Sequence, residues 1–376
     1  MREAFEFPDV AAQTDRRPKA CPRCGRAGMG WHRRSRRPLV DLKVGEVALV
    51  QYQCWGCGAS VTVCPPGVKS RCCHSTRTKA ISVVLWGLGL SYRNVSRVMK
   101  GLGLAISDVG VLLNVRAMGR AAMAKQKKLA ASKPAVPVLG ADETEVTLSG
   151  NGVTVGFLTD PATGEIVGME VLASREGEEL ARWIGQAARA FGAKVLVSDD
   201  LEAYKPAAEK LGLDHQLCLA HVRKAVTLRL KRISGFEQEK AVIRHALQEL
   251  TPQCKRDLKR LQRVFAGARP PGRGEKQSPA YAMRMCLLHV VENWPKLTCY
   301  QRDHERLKDT LARTVPRTYA VPATNNATEN AIGRGGKLRA KRMRGFKRAD
   351  TLLPILFFLA SLGGVLAGVP FNSLVG

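Results

Sequence analysis

Two apolar runs, Val136-Pro-Val-Leu-Gly-Ala-Asp142 and Lys194-Val-Leu-Val-Ser-Asp199-Asp200, end in acids, and no other feature narrows the possible folds as much. Short apolar runs bounded by polar residues read as buried strands. An acid at the end of such a strand sits where a sheet opens into a crevice, so two of them can share one site. Between the runs, residues 153–159 and 165–172 are strand-like and are joined by Asp160-Pro-Ala-Thr-Gly164, which carries the proline and glycine of a tight turn. Leu180, Trp183, Ile184, Ala187, Ala188 and Phe191 then recur at three and four, the stripe of an amphipathic helix. A short helix over 202–211 and a strand-like run over 215–220 follow. Three strands, helix, strand, helix, strand predicts an α/β domain with a mixed sheet and helices packed on it.

From 222 to about 314 the pattern is helical and rich in Lys and Arg, with a Pro/Gly loop at 269–280, and reads as an all-helical insertion. Beyond it, Thr324, Asn325 and Asn326 are N-cap residues that place Glu329 in the first turn or two of a helix. Arg334, Lys337, Arg339, Lys341, Arg342, Arg344, Lys347 and Arg348 lie behind that acid. The stretch has two readings: a salt-bridged surface helix, or a metal-binding carboxylate beside a track for phosphates. Asp142 and Asp199 favour the second. Three hard oxygen donors from separate elements suit magnesium or manganese. Two such ions about 4 Å apart can activate a water or a 3′ hydroxyl and stabilise the leaving oxygen of an in-line displacement.

The first 75 residues are a separate unit. Cys21-Pro-Arg-Cys24 and Cys54-Trp-Gly-Cys57, with 29 residues between them, supply four thiolates for a closed tetrahedral zinc shell, the structural arrangement. Short strands at 39–42 and 47–53 make this a zinc ribbon, too small to hold its fold without the ion. Arg33, Arg34, Arg36 and Arg37 form a basic loop suited to phosphate contact, or a solvated charged loop. Cys64, Cys72, Cys73 and His74 leave a second zinc or free thiols open. Residues 76–123 read as three helices with Ser91 and Ser107 as N-caps and Gly-rich turns between them. They make either an ordinary three-helix bundle or a helix-turn-helix whose last helix exposes Asn114, Arg116 and Arg120 to a DNA groove. Residues 124–137 read as a polar linker.

Sixty Lys and Arg against 32 Asp and Glu give a formal net charge of +28, which calls for a polyanionic partner. The cations run through the whole chain, so nucleic acid suits them better than a membrane surface. The opening MREAFEFPDV shows no apolar signal core, and the apolar run 352–367 reads as a buried helix, so the expectation is a cytoplasmic protein without membrane attachment. Eleven cysteines in a reducing compartment then serve as metal ligands or core thiols.

The sheet order, ADET at 141–144, VSDD at 197–200 and NNATEN at 325–330 together resemble the catalytic core of DDE transposases with an RNase H-like fold, as found in bacterial insertion sequences. Cys218-Leu-Ala-His221 resembles the Cys-x-x-His signature of the mutator-like branch, which also carries a helical insertion before its Glu. The resemblance implies that Asp142, Asp199 and Glu329 hold two magnesium or manganese ions, with 57 residues from Asp142 to Asp199 and 130 from there to Glu329. Asp199 is preferred to Asp200 because it follows Ser198 as in the family pattern. Cys218 and His221 could hold a metal, but with no second ligand pair evident a buried structural pair is expected. Trp294 is expected in the core, not stacked on a base. The domains follow: zinc ribbon 1–75, helix-turn-helix 76–123, RNase H-like core 135–221 with 315–376, and helical insertion 222–314. The implied function is strand cleavage and transfer at terminal inverted repeats by a nucleoid-associated bacterial enzyme, working on double-stranded DNA as a homodimer or larger oligomer. The alternatives are a DNA-binding regulator derived from such an enzyme, and a nuclease of the same fold without strand transfer.

Overall fold

A computed structural model of the chain describes residues 6–132, 136–303, 307, 320–333, 343 and 345–366. By packing, the chain divides into two units, Met1–Lys127 with Leu148–Gly150 and Arg334–Gly376, and Lys128–Thr147 with Asn151–Gly333.

In the first unit, β1 (Met29–Pro38), β2 (Glu46–Cys54) and β3 (Ser60–Val63) form an antiparallel sheet in that order. The first strand is therefore the Arg-rich stretch and not 39–42, and the four arginines stand on a strand and not in a loop. Asp41 explains the shift. Its Oδ1 accepts the Lys43 and Val44 amides at 2.9 and 3.1 Å, a side-chain turn that stops an extended run there. The same carboxylate is buried and takes the Ser75 hydroxyl at 2.6 Å and Arg77 at 2.9 Å. Three helices follow: α1 (Thr76–Gly87), α2 (Tyr92–Gly101) and α3 (Asp108–Ser132). Ser75, Ser91 and Ser107 cap them through their hydroxyls. The supposed linker at 124–132 is the end of α3, because Ala, Lys, Gln and Leu favour a helix and the first breaker is Pro134.

The second unit is built on a five-stranded sheet. β4 (Val138–Leu148), β5 (Asn151–Asp160) and β6 (Glu165–Leu172) are followed by α4 (Gly177–Phe191), β7 (Val195–Ser198), α5 (Tyr204–Lys210) and β8 (Asp214–Leu217). The strands lie in the order β6-β5-β4-β7-β8, with β5 and β6 antiparallel and β4, β7 and β8 parallel. This is the RNase H-like mixed sheet. Trp183 of α4 packs against Gly156 of β5, where a Cβ would stand 2.6 Å from the indole, so the stripe read from the sequence is the face that covers the sheet.

The insertion comprises α6 (Leu219–Lys231), α7 (Glu237–Glu249), α8 (Pro252–Val264), α9 (Pro279–Glu292) and α10 (Trp294–Leu297). Val226, Leu230, Leu247, Leu258, Leu287 and Trp294 share its buried core, so Trp294 is a packing residue. The chain returns to the sheet in α11 (Asn326–Ile332). The last helix, α12 (Ala349–Leu366), packs within the first unit: Phe358 lies 6.3 Å from Trp86 of α1 between ring centres, and Pro354 abuts Gly119 of α3. The sequence instead places 315–376 with the sheet. Among the described residues no helix is long and apolar enough to cross a membrane.

Candidate active site and metal centres

Small polar side chains fasten α11 to the sheet. Asn325 donates from Nδ2 to the Ala141 carbonyl at 2.7 Å, and its backbone amide donates to Cys218 Sγ at 3.2 Å. The Thr328 hydroxyl donates to Asn325 Oδ1 at 2.6 Å and lies 2.7 Å from Thr159 Oγ1 of β5. All three side chains are buried. Gly140 makes the approach possible, since a Cβ there would overlap Thr328 Oγ1 and stand 2.7 Å from Thr159 Oγ1. The start of α11, the helix that carries Glu329, is thereby tied to Ala141 of β4 and Thr159 of β5. Gly140→Ala is expected to cost about 1–3 kcal/mol of stability and to displace α11. A lower urea midpoint checks this, with Gly152→Ala, which has open space around it, leaving the midpoint unchanged.

Asp142 and Asp199 stand at the same level of neighbouring strands. β4 and β7 pair in parallel as far as Gly140 and Val197, and each acid is two residues further on. β4 continues to Leu148, so Asp142 lies within its strand, at the point where the parallel partner ends. Glu143 was overlooked in the sequence as anything but a neighbour. Burial raises its carboxyl above the usual range; the Tyr204 hydroxyl opposes this, and the charges of Asp199 and Asp142 add to it. Its Oε1 is buried with no hydrogen-bond partner. Asp200 has partners of its own, His289 Nε2 at 2.9 Å and Lys205 Nζ at 4.0 Å. Burial pushes its carboxyl up, but His289, Lys205 and Arg229 outweigh that and hold it below its ordinary value.

The end of β7 is set by a buried pair. The Ser198 hydroxyl donates to the Asp199 carbonyl at 2.9 Å and lies within hydrogen-bond reach of His215 Nε2, at 2.8 Å. Burial first, then the charges of Lys296 and Lys205, push the imidazole down to about 3. A histidine whose folded value is depressed from 6.5 contributes stability above pH 6.5 that is lost as pH falls toward 3. The expected slope is up to about 1.4 kcal/mol per pH unit in that window, read from urea melts, and it flattens in His215→Asn.

Cys218 and His221 also reach Glu329. Cys218 follows β8 and its amide donates to the Ser198 carbonyl at 2.8 Å; His221 Nδ1 lies 3.5 Å from Glu329 Oε1. Among the described residues, the groups whose ligand atoms lie within 4.8 Å of one another are Cys218, His221 and Glu329, and the four knuckle cysteines. Asp142, Asp199 and Glu329 do not close to that distance, and the Glu329 carboxylate turns to His221. Cys64, Cys72, Cys73 and His74 form no such group among the described residues.

In the ribbon, Cys21 and Cys57 are 3.7 Å apart at sulfur and Cys24 and Cys54 are 3.6 Å apart. The amides of Arg23 and Gly56 each donate to a knuckle sulfur at 3.4 Å. Backbone donors from Cys24 and Arg23 bring the Cys21 thiol down to about 6. For Cys57 a backbone hydrogen bond at Ala59 lowers the thiol, but the neighbouring sulfurs and burial push it up to about 11. Four thiolates this close ionise together only around a cation, and such a group could hold zinc.

The residues read as DNA-binding are placed unevenly. Arg33, Arg34 and Arg36 are exposed on β1, whereas Arg37 is half-buried and donates to the Lys69 carbonyl at 2.7 Å. On α3 Arg120 is exposed, but Asn114 and Arg116 are half-buried, and Asn114 donates to Ser82 Oγ of α1 at 3.2 Å. Helix periodicity turns Asn114 toward α1, so it is not an exposed reader. Arg93, Arg97 and Lys100 on α2 are exposed beside buried Val95 and Met99, a basic face that the sequence reading passed over. Arg334, Lys337, Arg339, Lys341, Arg342 and Arg344 lie outside the described residues.

A mixed sheet of this order, β5 and β6 antiparallel beside parallel β4, β7 and β8, with a helical insertion after β8, has the RNase H-like fold. Residues 72–350 match the sequence profile of the IS66 transposase family, and the chain belongs to that family. No curated protein matches it. Among solved structures it is similar to the catalytic core domain of BIV integrase, at 14% identity and a TM-score of 0.19, over 41% of this chain and 83% of that one.

Proposed function

We propose that this transposase binds the terminal inverted repeats of its own insertion sequence and cuts and joins DNA strands at Asp142, Asp199 and Glu329. The observation that carries the reading is the bonding of Asn325 to Ala141 and of Thr328 to Thr159, which supports bringing an acid from beyond the insertion to the strand of Asp142.

The donor set fits magnesium or manganese, being carboxylate oxygens on separate elements, and the mutual repulsion of Asp142, Glu143 and Asp199 is what a bound cation would relieve. Asp142, Asp199 and Glu329 would hold two such ions, which when bound supply an activated oxygen nucleophile and neutralise the leaving oxygen. The chain's own part is placement. Ser198 and His215 set the end of β7, His221 orients Glu329, and Asp200 with His289 ties the insertion to the sheet. Cys21, Cys24, Cys54 and Cys57 would hold a structural zinc. Helices α2 and α3 read the repeat as a helix-turn-helix, the arginines of β1 hold phosphates, and the cations behind Glu329 track the backbone. Pairing two element ends calls for at least a homodimer, acting at the nucleoid.

The test is purified protein with a labelled terminal repeat, target DNA and magnesium. Cleaved ends joined to target support the reading. Cleavage without joining points to a nuclease and binding without cleavage to a regulator, and either overturns it.

A further inference from the structure

Trp55, the second residue of its knuckle, is 77% exposed yet held in one place. Its indole covers the backbone at the start of β1: a Cβ on Gly30 would overlap Nε1 and stand 2.8 Å from Cε2, and one on Gly28 would lie 3.5 Å from Cε3. One face of the ring thus rests on glycine backbone and the other meets solvent. Gly30 and Arg33 pair with Gln53 and Gln51, so both project to the same face as the indole. Arg33 is steadied there by Gln51 Oε1 at 2.6 Å, and the Arg26 side chain runs along Gly56 in the knuckle. On the opposite face of this edge strand, Trp31 is 66% exposed and is followed by exposed Arg34 and Arg36.

We infer that this edge of the ribbon binds single-stranded DNA, with unpaired bases stacked on Trp55 and Trp31 and the phosphates on Arg26, Arg33, Arg34 and Arg36. Aromatic faces take any base but only an unpaired one, because in a duplex both faces of each base are already covered. The arginines supply the complementary charge. The inference rests on the DNA reading above but uses none of the three acids. It is tested without magnesium, so its failure and the failure of strand cleavage are separate results.

The experiment titrates full-length, zinc-loaded protein into fluorescein-labelled oligo-dT and into a duplex of equal length. Trp55→Ala is expected to weaken oligo-dT binding about tenfold while duplex binding changes less than about twofold, and Trp55→Phe retains most of the affinity. Trp86, Trp183 and Trp294 are buried, so quenching of tryptophan fluorescence by oligo-dT reports on the two exposed rings. Equal weakening on both DNAs, or unchanged oligo-dT binding in the Trp31→Ala, Trp55→Ala double variant, overturns the inference. If Trp55→Ala loses zinc, the wild-type protein decides: no quenching at saturating oligo-dT also overturns it.

Discussion

Asp142→Ala and Glu329→Ala are each expected to lower strand cleavage at a labelled element end by about 10³-fold or more, while binding of that end without magnesium stays close to wild type. The size follows from what the acids do. Stabilising charge at a transferring phosphoryl group through bound cations is worth several kcal/mol, and each 1.4 kcal/mol is a factor of ten. Asp199→Ala should match them. Asp200→Ala should not, because its carboxylate is engaged by His289 at 2.9 Å and its loss loosens the insertion without removing a metal ligand. Cleavage that survives Asp142→Ala would sink the catalytic assignment, and equal losses for Asp199→Ala and Asp200→Ala would show that the choice between them is wrong. Single-turnover cleavage of a preformed complex separates this loss from any change in binding.

Cys54→Ser is expected to unfold the ribbon. Its core is small and split in two, with Met29, Val50 and Tyr52 buried beside Cys21 and Cys54, and Leu39, Val47 and Val68 in a second cluster. Structural zinc in small domains contributes about 10–16 kcal/mol of apparent binding free energy, far more than such a core supplies. The expected result is one zinc released per chain on substitution or chelation, with new protease cleavage between residues 20 and 63. The sheet of the second unit keeps its own core of Leu139, Leu158, Trp183 and Leu196 and stays folded. A ribbon that keeps its protease resistance without zinc would contradict this.

The parts legible in the sequence were those set by local pattern. Apolar runs that end in acids gave β4 and β7, the serine caps gave the helix starts, and the spacing of four cysteines gave their cluster. What was hidden depended on partners far along the chain. β1 carries Arg33, Arg34 and Arg36 in the open, so no apolar alternation announces it; its pairing with β2 makes it a strand. Asn325 looked like a cap residue and Thr328 carried no signal of its own, and only contact with Ala141 and Thr159 shows them fastening α11 to the sheet. Glu143 looked like a spare acid until burial left its Oε1 without a partner. Asn114 was read as exposed because its neighbour α1 could not be placed from sequence.

The central claim is that Glu329 joins Asp142 and Asp199 around divalent cations. Crystals of the protein bound to a terminal repeat, soaked in manganese and measured at the manganese absorption edge, test it directly. The account predicts two anomalous peaks about 4 Å apart, ligated between them by all three carboxylates. A single peak on Cys218, His221 and Glu329, with Asp142 and Asp199 unligated, would contradict it.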